Sequence, residues 1–252
     1  MSRGPIDIIT ADLGISRIHA FTTLRANGNS SSPFNSLNFG DHVGDDPQTV
    51  KLNREMLRSF LPGEVAPRWL CQIHGVEVIA SHARPEDEVP VADAAWTDRP
   101  GRPLAVMTAD CLPIVLAGVH GDWVAIVHAG WRGLAAGIID ATLAAVPGSC
   151  AQARAWFGPA IGACCFEVGE EVREVFVGRF GASAVQSFKS TDTPGKYLAD
   201  ISALAAYRLR ELGVGEVSES RSCTVCEPEN FFSHRRDGKT GRMATVAMIL
   251  PS

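Results

Sequence analysis

The stretch from residue 103 to 130 is the most apolar in the chain, and Asp110, His120 and Asp122 interrupt it. Those polar groups make it a poor membrane span, because each would need a partner inside the hydrocarbon. It must instead be buried in a globular core as short strands, read here at 104–107, 114–116 and 123–127. Helical spacing follows. Leu134, Ile138, Ile139, Leu143 and Val146 share one side of a helix over 134–146. Val172, Val175, Phe176 and Phe180 repeat at helical spacing after Gly169. Ile201, Leu204, Ala205, Leu209 and Leu212 mark a third helix, with Asp200 as its N-cap and Gly213 as its stop. The near-continuous apolar run at 243–250 predicts a buried final strand.

Strands and helices mix without regular alternation, so the expected class is α/β or α+β, a layered sandwich. The polar loops at 26–35 and 81–91 are too short to divide the chain, and one domain over 1–252 is expected. With 23 Lys and Arg against 28 Asp and Glu, a broad basic face for nucleic acid is not expected. Residues 1–14 lack the apolar centre of a secretion signal. The seven cysteines are odd in number and irregularly spaced, unlike a disulfide framework. The reading is a soluble, reducing, cytoplasmic protein with no membrane partner.

Three segments end an apolar stretch with a metal-capable residue: Cys71-Gln72-Ile73-His74-Gly75, Thr108-Ala109-Asp110-Cys111 and His128-Ala129-Gly130-Trp131-Arg132-Gly133. Two imidazoles and a thiolate make a three-ligand zinc site with an open fourth position, the form that catalytic zinc takes. Spacing alone also fits three satisfied core residues, since free cysteine is commonly buried. A strand ending at His128 and a helix opening near Trp131 would aim backbone N–H groups at an anion, with Arg132 adding a charged contact; a tight turn with a solvated arginine fits the same residues. Arg25 and Asn38 lie in loops, where ligand contacts and plain solvation are both open. Gly158-Pro159-Ala160-Ile161-Gly162 reads as a rigid turn. Cys164-Cys165 read as packing, and Cys223-Thr224-Val225-Cys226 lacks a second C-x-x-C, which argues against a zinc knuckle and leaves a redox pair as the weaker alternative.

Taken together, these segments resemble the laccase-domain family, also called polyphenol oxidase or peptidoglycan-editing-factor proteins. Further carriers are Ser36-Leu37-Asn38, His42-Val43-Gly44-Asp45, Leu112-Pro113, Cys164-Cys165-Phe166-Glu167-Val168-Gly169, Phe231-Phe232-Ser233 and Arg235-Arg236-Asp237, so the resemblance runs over about 17–250. It implies an α-β-β-α sandwich similar to the catalytic domain of cytotoxic necrotizing factor. It also implies metal ligands at His74, Cys111 and His128, and it matches the family's loop arginine to Arg25 and its Ser-Leu-Asn asparagine to Asn38. Bacterial members are described as purine nucleoside phosphorylases. The implied activity is therefore zinc-dependent phosphorolysis of adenosine, inosine and methylthioadenosine, with adenosine deamination besides. The partners are then a purine nucleoside and inorganic phosphate.

On this reading the catalytic set is Cys111, Arg25 and Asp110, with Arg25, Asn38 and Arg132 toward substrate and phosphate; Asp110 is named for its adjacency to Cys111. The zinc deaminases of nucleobases carry an H-x-E motif that this chain lacks. Three alternatives stand beside it. Copper in the same site would give a polyphenol oxidase, although seven histidines without a His-x-His are too few for a multicopper cluster. A metal-free hydrolase would use Cys111 as nucleophile and His128 as base. The last alternative is an editing role in cell-wall precursor synthesis.

Overall fold

The computed structural model describes residues 6–83, 85 and 88–251. Part of the 1–14 segment and of the 81–91 loop lies outside these residues. In chain order the strands are β1 (Ile8–Thr10), β2 (Ile18–Thr23), β3 (Val78–Ala80), β4 (Ala94–Thr97), β5 (Leu104–Thr108), β6 (Leu112–Gly118), β7 (Val124–Ala129), β8 (Ala153–Phe157), β9 (Glu167–Gly169), β10 (Phe188–Ser190), β11 (Lys196–Ala199), β12 (Glu216–Glu219) and β13 (Met243–Ile249). The helices are α1 (Pro47–Phe60), α2 (Trp131–Ala136), α3 (Ile138–Ala145), α4 (Glu170–Phe180), α5 (Ile201–Glu211) and the short α6 (His234–Asp237).

One sheet has the order β1-β2-β13-β5 and is antiparallel throughout. The larger sheet has the order β12-β8-β6-β7-β4-β3, with parallel pairs only at its two edges. A small third sheet, β10-β11-β9, lies apart from both. Strand alternation explains the layering. From β5 and β13, Leu104, Val106, Ala247 and Ile249 meet Val115, Ala117, Val124, Ile126 and Trp156 of the larger sheet. Their neighbours Ala105, Met107, Val246 and Met248 face the other way, under Leu57 and Leu61 from α1 and its end. On the larger sheet, Ile114, Leu116, Ala125 and Val127 face Leu134, Ile138, Phe176 and Leu204 of the helices. The layers thus run helix, sheet, sheet, helix.

Both faces of β5, β6 and β7 are covered, which is why 103–130 reads as a continuous apolar run rather than an alternating one. Each fully buried Leu or Ile contributes roughly 1.5–3 kcal/mol.

The predicted strands lie where the pattern put them, and Asp200 caps α5 by accepting from the Ala203 N–H at 2.8 Å. The helix expected over 134–146 differs. It is two helices, α2 and α3, divided at Gly137 with φ 106°. The periodicity carries across because both halves bury the same face, while only the glycine backbone tolerates that turn. No helix among the described residues is long and apolar enough to cross a membrane.

Candidate metal centre

His74, Cys111 and His128 come together although they are far apart in sequence. Cys111 sits in the tight link between β5 and β6, just after Asp110, whose φ is 92°. His128 lies on β7, opposite Pro113 of β6, so strand register brings it to the same sheet end as Cys111. His74 arrives from a loop, with φ 61°. The Cys111 Sγ is 3.7 Å from His74 Nε2, and the two imidazole rings meet edge to face at 4.7 Å. One ligand atom from each of the three lies within 4.8 Å of the other two.

Asp93, fully buried, organises this cluster. One carboxylate oxygen accepts from the backbone N–H of His74 at 2.9 Å, the other from Gly75 at 2.7 Å and Ile73 at 3.2 Å. It also accepts from His128 Nδ1 at 2.8 Å. A carboxylate only accepts here, so His128 carries its proton on Nδ1 and turns Nε2 toward the cluster, the arrangement that prepares a histidine for a metal. The donor set of two imidazole nitrogens and a thiol, with one imidazole already oriented, fits a three-ligand zinc or copper site.

Charge is distributed to match. Burial works against an ionised Cys111, but the His128 charge and its hydrogen bonds win and bring the thiol down to about 6. Burial likewise works against a charged His128, and the Cys111 thiolate with Asp93 raises it to about 9. Without metal the pair is a thiolate beside an imidazolium. A metal ion must displace the His128 proton, so between about pH 6 and 9 this pair releases one proton on binding. Apparent metal affinity is therefore expected to rise about tenfold per pH unit over that window from this pair. Chelator competition at pH 7 and pH 8 measures it.

The other predicted residues lie at different distances from the cluster. Asp110 and Cys111 line a recess of about 140 Å³ with Trp131, Ile161, Phe166, Ile201, His234 and Arg235. Both Asp110 oxygens are taken: Oδ1 accepts from the Thr224 hydroxyl and Oδ2 from the Arg235 N–H, each at 2.6 Å. Arg25 lines a separate polar recess of about 650 Å³ with Arg236, Asp237 and Lys239. Its guanidinium lies over the Phe232 ring and donates to the Asn35 and Pro228 carbonyls. The segment from Phe231 to Asp237 divides the two recesses, for His234 and Arg235 face one and Arg236 and Asp237 the other.

Asn38 is fully buried and its amide is committed to the chain. It accepts from the Gly40 and Arg242 N–H groups and donates to Asp45 and the Gly40 carbonyl. Arg132 is exposed on α2, with its guanidinium stacked on the Trp131 ring at 4.5 Å.

The family described as multi-copper polyphenol oxidoreductase laccase matches residues 19–250. The chain belongs to this family. It is 44% identical to a protein named purine nucleoside phosphorylase from Pseudomonas aeruginosa, over 92% of this chain and 94% of that one. It is 42% identical to one of the same name from Escherichia coli K12, over the same shares. The crystal structure of a Neisseria meningitidis protein superposes with TM-score 0.91 at 40% identity, covering 97% of this chain and 99% of that one.

In this laccase-family chain two groups beside the cluster, Asp93 and Arg242, had no place in the expected site, whereas His234 falls between the Phe231-Phe232-Ser233 and Arg235-Arg236-Asp237 carriers that border it. Asp93 gave one signal, a lone carboxylate inside the apolar stretch around β4. Arg242 gave none. Burial lowers its pKa, and the nearby charges of Cys111 and Asp110 offset part of that, so its guanidinium, bonded to the Thr240 and Gly241 carbonyls, lies within the electrostatic reach of the cluster. His234 lies in the recess with Nδ1 donating to the Gly238 carbonyl, which leaves Nε2 open.

Gly130 is confined by space rather than by its backbone. Its φ of −62° suits any residue, but a Cβ there would sit 2.7 Å from His74 Cδ2 and 3.1 Å from Cys111 Sγ. Gly130→Ala is expected to leave the fold intact and to weaken metal binding by roughly tenfold or more, because a displaced ligand costs affinity much as a lost supporting contact does. Equilibrium dialysis against zinc measures this.

Proposed function

We propose that this chain is a metal-dependent purine nucleoside phosphorylase, with zinc as the metal and adenosine, inosine and methylthioadenosine as substrates. The observation that carries the proposal is the His74–Cys111–His128 cluster, oriented by Asp93 and opening on a recess with both aromatic and cationic walls. The relatives' names supply the reaction class.

When bound, the metal supplies a fixed positive charge that polarises oxygen ligands and eases deprotonation of water. The chain's own residues do the remainder. Trp131 and Phe166 give flat apolar surface for a purine ring. Arg242 brings positive charge to the cluster, where a phosphate oxygen must approach C1′ of the ribose. In that step the phosphate oxygen bonds to C1′ and the C1′–N bond breaks. Its electron pair leaves on the purine, which takes up a proton. A His234 imidazolium, keeping Nδ1–H on the Gly238 carbonyl, would deliver that proton from Nε2 and regain one from the attacking phosphate or from water. Asp110, with both oxygens engaged, acts as a positioning residue that fixes the Thr224 and Arg235 segments against Cys111. Asn38 holds the Arg242 backbone. Arg25 and Arg132 stand outside the recess and act on the approach of charged substrate. Adenosine deamination is proposed as an additional activity of the same centre, exchanging the C6 amino group for oxygen from water with release of ammonia.

The test is inosine with and without phosphate. Ribose 1-phosphate and hypoxanthine are expected only when phosphate is present. With adenosine, adenine reports phosphorolysis, and inosine with ammonia reports deamination. No product from any purine nucleoside with metal-loaded protein would refute the reading.

One observation favours a second reading. Asp93, His128 and the ionised Cys111 also form the order orienter, base and nucleophile of a metal-free cysteine hydrolase. Alkylation of Cys111 by iodoacetamide separates the two. A metal ligand is protected by zinc, whereas a free nucleophile reacts equally with and without it. Copper in the His2Cys set is the oxidase alternative. Sustained phenol oxidation by copper-free, zinc-loaded protein would contradict the zinc assignment.

A further inference from the structure

Cys164, Cys165, Cys223 and Cys226 gather in one place although their two segments are about sixty residues apart, with one sulfur from each within 4.8 Å of all the others. This overturns the reading of Cys164-Cys165 as packing and of Cys223–Cys226 as an unaccompanied pair. The adjacent cysteines are the second pair that the C-x-x-C lacked. Sequence spacing hid them because C-C is not a knuckle pattern. A packing role also fails on exposure, since Cys164 and Cys226 are exposed and the other two only half-buried.

The two segments are locked together by backbone. Residues Ala160 and Cys223 form a parallel bridge, and the Thr224 N–H donates to the Ala160 carbonyl at 3.0 Å. Sulfur separations are 3.5 Å for Cys164–Cys165, 3.8 Å for Cys164–Cys223, 3.5 Å for Cys164–Cys226 and 3.4 Å for Cys165–Cys226. Four thiolates around a tetrahedral zinc, with Zn–S about 2.3 Å, lie about 3.8 Å apart. A disulfide needs about 2.05 Å. In a four-iron cluster each cysteine binds a different iron, and in a two-iron cluster the two cysteine pairs bind separate irons, so in either case the four sulfurs do not all gather as closely as these do. The Gly162 N–H also points at Cys223 Sγ at 3.2 Å, and a Cβ on Gly162 would press on the Cys223 and Cys164 sulfurs at 3.1 and 3.3 Å. The turn is thus shaped to bring an N–H donor against a sulfur.

We propose that Cys164, Cys165, Cys223 and Cys226 bind a second, structural zinc ion, separate from the His74–Cys111–His128 centre. Four protein ligands leave no open position, so this site performs no chemistry on substrate. It clips the 158–169 segment to the 220–231 segment. Thr224, inside the clip, donates to Asp110 beside Cys111. Arg235 donates to the Cys165 and Glu167 carbonyls and, through its N–H, to Asp110. The clip therefore braces the wall of the recess without touching the metal centre.

Elemental analysis of the full chain, purified without chelator, tests this. About two zinc per chain are expected in the wild type. The Cys223→Ser/Cys226→Ser variant is expected to keep one, and the His74→Ala/Cys111→Ser variant is expected to keep the other. The first variant should also melt at least about 5 °C lower. Should it fail to fold, zinc-edge X-ray absorption of the His74→Ala/Cys111→Ser protein decides, with four sulfur neighbours expected. Unchanged metal content in the Cys223→Ser/Cys226→Ser variant, iron in place of zinc, or a disulfide within the quartet in freshly purified wild type would each overturn the proposal. These readouts do not depend on catalysis, so this site and the proposed activity can fail separately.

Discussion

Cys111→Ser is expected to strip the metal from the His74–Cys111–His128 centre and to lower nucleoside phosphorolysis by about 10³-fold or more. The size follows from what is lost. A metal's charge at a reacting oxygen is worth several kcal/mol, and each 1.36 kcal/mol is about tenfold in rate. Serine keeps the volume but gives up the soft thiolate. Cys111 is also the partner that raises the His128 pKa to about 9, so His128 should titrate at lower pH in the variant. Steady-state rates with metal analysis of the same sample, and NMR titration of the metal-free His128 ring, check both effects. If zinc content falls while the rate stays at wild-type level, the metal is not part of the reaction.

Asp93→Asn is expected to weaken zinc binding by about 10- to 100-fold and to destabilise the chain by roughly 1–3 kcal/mol. The amide is nearly isosteric but keeps one acceptor oxygen where four N–H donors converge, from Ile73, His74, Gly75 and His128. Its NH2 would face a donor, and His128 would lose the bond that fixes its tautomer. The variant also probes the acid limb. Burial tends to raise the Asp93 pKa, but the His128 bond and the backbone N–H groups hold it below the usual carboxylate value. A lowered carboxyl pKa contributes stability that is present above the ordinary carboxylate range and is lost as pH falls through the lowered value. Melting curves from neutral to acid pH should therefore slope less for the variant than for the wild type. Equal slopes would show that Asp93 is not held ionised in this way.

Much of the frame was legible because burial writes itself into periodicity. The continuous apolar run at β5 to β7 and the helical repeats at α4 and α5 come from faces covered on one or both sides. The three proposed ligands stood out as metal-capable residues closing apolar stretches, but that spacing fits packed core residues as well, and it was the resemblance to the laccase-domain family that marked them as ligands. Asp93 was not legible, since its role depends on β4 pairing with β7, where the His128 N–H donates to the Asp93 carbonyl; no local pattern encodes that. Arg242 and the cysteine quartet were hidden for the same reason, their partners being brought up by strand register and loop closure. Asn38, matched by resemblance to the family's Ser-Leu-Asn asparagine, lies where only the folded chain shows its partners. A loop position leaves ligand contact and solvation equally open, and burial turns its amide onto Gly40, Asp45 and Arg242.

The proposed role of a metal on His74, Cys111 and His128 is to support phosphate-dependent cleavage of a purine nucleoside. The direct measurement is product identification from inosine with zinc-loaded protein, across a phosphate series. Ribose 1-phosphate and hypoxanthine are expected in equal amounts, rising with phosphate and lost in Cys111→Ser. Hypoxanthine released without phosphate, or wild-type turnover in Cys111→Ser, would contradict that role.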